Sequence, residues 1–64
     1  MQVTYRSAPT MQCYAPAKVF HDAVAALLYA RQSADAFRVG YGVYRVLAGR
    51  LLHLWTFPAP DRRA

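Results

Sequence analysis

Cys13, His21 and His53, together with Asp22, Asp35 and Asp61, are the side chains with which this sequence could bind a metal or run nucleophilic chemistry. A zinc site normally starts from a local ligand pair, and no CxxC, HxxxH or HExxH spacing is present. His21 and His53 read as ordinary, partly buried histidines, so no metal and no cofactor are expected. Cys13 with a histidine and an aspartate could be drawn as a nucleophile, base and orienting group. Any chain with one Cys and two His permits that drawing. The chain has no Glu, and its three Asp are spread from 22 to 61, which leaves no obvious acid/base pair. Gly40-Tyr41-Gly42 lacks the rest of either phosphate-loop fingerprint and reads as close backbone approach or a bulge in a strand. A chain this short rarely encloses a substrate pocket, so no catalytic role is expected.

Binding residues are better represented. The stretch Phe37 to Phe57, FRVGYGVYRVLAGRLLHLWTF, holds the only Trp, two of the three Phe and two of the five Tyr. It also carries Arg38, Arg45 and Arg50. Arg38, Tyr44, Arg45 and Arg50, with Arg6 if the first strand lies nearby, make a basic and aromatic sheet region. Such a region could stack and track a single-stranded nucleic acid. No RNP-like, KH or zinc-finger signature accompanies it, and the helix has only Lys18 and Arg31 as cations. Tyr, Trp and Arg are equally the side chains that carry protein interfaces.

Composition narrows the setting. Sixty-four residues make one small domain, 1–64, with 58–64 expected as a mobile tail. A domain of this size buries only about 60% of its unfolded surface and usually needs a disulfide, a metal or a partner chain. With one cysteine and no metal motif, a second chain is the expected staple: a homodimer or an obligate partner. A hydrophobic content of 56% argues against disorder. The net charge of +5 comes from seven Arg, one Lys and three Asp, and Arg favours bidentate contacts to phosphate or carboxylate. Met-Gln-Val-Thr-Tyr is no signal peptide, and no apolar run is long enough for a bilayer span. A cytoplasmic protein with a free thiol at Cys13 and no membrane contact is expected.

The elements that would position these residues follow from pattern. Residues 2–6 alternate as a short strand, with Ser7-Ala8-Pro9-Thr10 as a turn. Met11 to Tyr14 is a second short strand or an extended approach to a helix. Pro16 suits a first helical position, and Ala17 to Gln32 reads as a helix with Phe20, Val24, Leu27 and Arg31 on one stripe. For the central stretch, glycines at 40, 42 and 49 and the β-branched and aromatic content favour a hairpin over a helix. A three-residue loop ending at Gly49, or one step later, pairs residues whose numbers sum to 96 or 98. Either register puts Phe37, Val39, Tyr41, Val43, Trp55 and Phe57 on a core face. It leaves Arg38, Gly40, Gly42, Tyr44, Val46, Leu52 and Leu54 on a second face; a two-residue turn would flip one strand.

The expectation is an α+β domain, strand–helix–hairpin, with one helix packed on one face of a small antiparallel sheet; an all-α helical hairpin is the alternative. The expected function is non-catalytic binding of a protein or nucleoprotein partner through Arg38, Tyr44, Arg45, Arg50 and Leu54. A short, motif-free basic chain of this kind fits the style of small phage or mobile-element inhibitors, anti-CRISPR proteins among them. A single-stranded DNA- or RNA-binding module is the functional alternative.

Overall fold

The computed structural model describes residues 2–60. Chain order is β1 Thr4–Pro9, β2 Lys18–Phe20, α1 Ala23–Phe37, β3 Tyr41–Leu47 and β4 Arg50–Phe57. The strands form one antiparallel sheet in the order β2-β1-β3-β4, and α1 packs on one of its faces. The α+β architecture holds and the all-helical alternative does not. Among the described residues no helix is long and apolar enough to cross a membrane. Of the expected tail, 58–60 carry no regular structure and 61–64 lie outside the described residues.

The first half differs from the sequence reading in three places. β1 runs on through Ser7 and Ala8 to Pro9, where a turn was expected. The reason is Ser7, which is fully buried under the helix and donates its hydroxyl to the Ala26 carbonyl at 2.7 Å. Met11 to Tyr14 form bends, not a strand. The second strand is instead Lys18–Phe20, taken from the start of the expected helix. Phe20 pairs with Tyr5, and its ring packs on Tyr29 at 5.3 Å, so burial in the sheet outweighs local helix propensity. The helix therefore starts at Ala23 with Asp22, not at Pro16. The Asp22 carboxylate accepts from the amides of Val24 and Ala25, an N-cap arrangement.

The helix also runs further than expected, to Phe37, and Arg38 closes it in the left-handed conformation with its amide donating to the Ala34 carbonyl. Phe37 is thus a half-exposed helix residue and not part of the core face of a strand. The stripe that meets the sheet is Ala26, Ala30 and Ala34, spaced by four, against Tyr41 and Val43. Small side chains let the helix axis come close to the strands. The bulkier Val24 and Leu28 are left exposed.

The hairpin exists, but its turn is shorter. Ala48 (φ 51°) and Gly49 (φ 77°) are both left-handed, which makes a two-residue loop closed by Leu47 and Arg50. Near this turn the pairs are Arg45–Leu52 and Val46–Leu51, and farther down they are Val43–Trp55 and Tyr41–Phe57. The register changes between Val43 and Tyr44, where Leu54 is left without an opposite residue. This bulge undoes the flip that a two-residue turn imposes, so the lower half keeps the sum-98 register. Leu52, expected on the second face with Tyr44, consequently shares the helix side with Arg45.

Candidate partner-binding site

Two surfaces emerge from this arrangement, one on each side of the sheet. On the helix side, α1 covers β1 and β3 and stops short of β4, the outermost strand. An open groove of about 440 Å³ remains, lined by Ala23, Leu27, Val43, Leu54, Trp55 and Phe57. The bulge is what assembles it, because it turns Leu54 to the same side as Trp55. Trp55 is 57% exposed and Leu54 41%, although both stand beside the fully buried Val43. The rings of Trp55 and Phe57 meet edge-on at 6.4 Å and form one wall. Val24 and Leu28 follow Leu27 around the helix at about 100° per residue, so the helix flank next to the groove is apolar as well.

The helix begins at Ala23, and the upper hairpin projects past it, giving the molecule dimensions of 45 × 21 × 17 Å. On this projection a second hollow of about 400 Å³ is lined by Arg45, Leu47, Arg50, Leu51 and Leu52. Arg45 and Arg50 are diagonal neighbours on the helix side, across the pairs Arg45–Leu52 and Leu47–Arg50. Two guanidinium groups thus stand at the end of an apolar groove. β4 is exposed along almost its whole length, with an outer edge that no strand among the described residues covers.

On the other side of the sheet no helix is present. Tyr44 lies there beside His53, with ring centroids 5.4 Å apart, and the His53 ring is hydrogen-bonded to the Thr56 hydroxyl at 2.5 Å. Each strand carries one cation: Arg6, Lys18, Arg45 and Arg50. No strand carries an acid. Asp22 and Asp35 both belong to the helix layer. Lys18 sits over the rings of Phe20 and Tyr29 at 5.5 and 5.8 Å, on the helix side.

The five residues expected to form one contact face are therefore distributed. Arg45, Arg50 and Leu54 belong to the helix side of the hairpin, Tyr44 to the open face, and Arg38 to the C-terminal end of the helix. Sequence reasoning placed Trp55 and Phe57 on the core face and Leu27 on the helix stripe, and assigned none of them to a contact surface. The clue available was that a single helix cannot cover four strands. Among the described residues no cluster of three His, Cys, Asp or Glu side chains is found. No protein-family model, curated protein or solved structure matches the chain.

Proposed function

We propose that this chain is a non-catalytic binding protein that docks on a protein or nucleoprotein partner through β4 and the groove beside it. The observation that carries this reading is Trp55 with Leu54, large apolar side chains held half out of an edge strand. Long apolar edge strands invite pairing with another chain, and tryptophan and arginine supply much of the binding energy at protein interfaces. The charge distribution narrows the partner chemistry to an extended apolar segment with a carboxylate near Arg45 and Arg50. Cys13 is an exposed free thiol, which suits action in the cytoplasm. Occluding a surface of a larger assembly is how so small a chain would act, in keeping with a phage or mobile-element inhibitor such as an anti-CRISPR.

Affinity capture from native lysate with the wild type and with a Leu54→Asp/Trp55→Ser variant tests the reading, both chains first being matched by circular dichroism. A specific partner retained by the wild type and lost by the variant is expected. A partner retained equally by both would overturn it. Light scattering on the same samples detects self-association: a wild-type dimer that the variant dissociates would make the occupant a second copy of this chain.

A further inference from the structure

The uncovered face of the sheet carries a different chemistry from the β4 flank. Strand pairing sets Val19, Arg6, Tyr44 and His53 in one row across it: Arg6 lies opposite Val19 on one side and Tyr44 on the other, and Tyr44 lies opposite His53. Neighbouring strands are about 5 Å apart, so Arg6, Tyr44 and His53 are backbone neighbours, and the phenol and imidazole rings meet at 5.4 Å. The ring of Tyr44 does not stand up from the sheet. A methyl group at position 42 would lie 2.7 Å from its hydroxyl oxygen and 2.9 Å from ring carbon Cε1, so the ring lies down over Gly42. Gly42 is buried on a face that no helix covers. The ring is its cover, and Tyr44 itself remains partly exposed.

A flat aromatic ring beside a cation is what a single-stranded nucleic acid uses: a base stacks on the ring and a phosphate meets the cation. Charge favours the same occupant. Of the four strand cations only Arg6 is on this face, and the described strands carry no acid, while Asp22 and Asp35 lie in the helix layer behind the sheet.

We propose that this open face binds single-stranded nucleic acid, with a base stacked on Tyr44 and an adjoining phosphate on Arg6. The site does not depend on the β4 groove, which is on the opposite side of the sheet.

Fluorescence anisotropy with labelled DNA and RNA single strands of about 12 nucleotides, and a duplex of the same length, decides it. The expected result is binding to single strands at about 50 mM salt that weakens about threefold by about 200 mM, the change for one neutralised phosphate. Tyr44→Ala should weaken binding by about five- to a hundredfold while Tyr44→Phe retains it. Arg6→Gln, an exposed position outside the core, should flatten the salt slope by about 0.7 and gives a second test if Tyr44→Ala fails to fold. Trp55→Ser should bind as the wild type does. Tighter binding of DNA or of RNA identifies the natural strand, and either supports the proposal. No binding at low salt, preference for the duplex, an unchanged affinity in folded Tyr44→Ala, or loss of binding in Trp55→Ser would each overturn it.

Discussion

Tyr41 is the largest side chain fully withdrawn from solvent, and it is tied down at its polar end. Its hydroxyl donates to the Pro16 carbonyl at 2.5 Å, so it fastens the segment before β2 to the core. Burial, followed by the neighbouring Tyr29, pushes its pKa above the ordinary tyrosine value, and a hydrogen bond with Ser33 offsets part of this. The unfolded chain therefore loses this proton at lower pH than the folded chain does. Below about pH 10 both states hold the proton and the contribution is intact; as pH rises through the folded value it is lost. Wild-type stability should fall with pH in that alkaline window. Tyr41→Phe should cost about 1 kcal/mol at neutral pH and show a flatter alkaline limb, measured by urea unfolding at a series of pH values. Arg38 gives the opposite kind of prediction. With φ at 59° it occupies a left-handed position that favours glycine. Arg38→Gly should raise stability by about 1 kcal/mol in the same assay.

The hairpin shows how much of an element can be read from residue types. Gly49 marked the bend, and the β-branched and aromatic content marked the strands, because both preferences belong to single residues. The turn length was not legible, since its other left-handed position is filled by Ala48, a residue with no preference for positive φ. The bulge at Leu54 has no signature either; it follows from fitting a two-residue turn onto a strand whose lower half is fixed by Val43 against the helix. Two departures that each reverse the faces cancel, and the core pair Tyr41 and Val43 came out as expected. The ends of α1 were hidden for a similar reason: Pro16 has the character of a first helical residue although Asp22 is the cap, and Arg38 is an unadvertised stop. The strain at Ala48 can be measured. Asn-Gly is the favoured pair for a two-residue turn of this kind, so Ala48→Asn should stabilise the fold by about 1 kcal/mol. The midpoint of thermal unfolding should rise by about 4–8 °C. No change, or a loss, would count against the two-residue turn.

At the scale of the whole molecule, the buried core and the proposed docking groove share Val43 but otherwise use different residues. Among the described residues the buried core is three alanines, Tyr41 and Val43, and Leu51, Leu52, Leu54 and Trp55 on β4, with Val24 and Leu28 on the adjoining helix flank, are exposed. From its size the chain should be stable by only about 3–10 kcal/mol, so little can be removed from such a core. Val43→Ala removes a side chain with no exposed surface and should cost about 2 kcal/mol, a large share of the total. Trp55 is more than twice the size of Val43, but it is 57% exposed in the isolated chain. Trp55→Ser loses the buried part of the ring and should cost about 1–3 kcal/mol, comparable with Val43→Ala. If β4 docks a partner, the same change should also abolish partner capture, because the exposed part of the ring is desolvated in the complex. Urea unfolding measures the first effect and capture the second. Partner capture retained by folded Trp55→Ser would remove the main support for β4 as a docking strand.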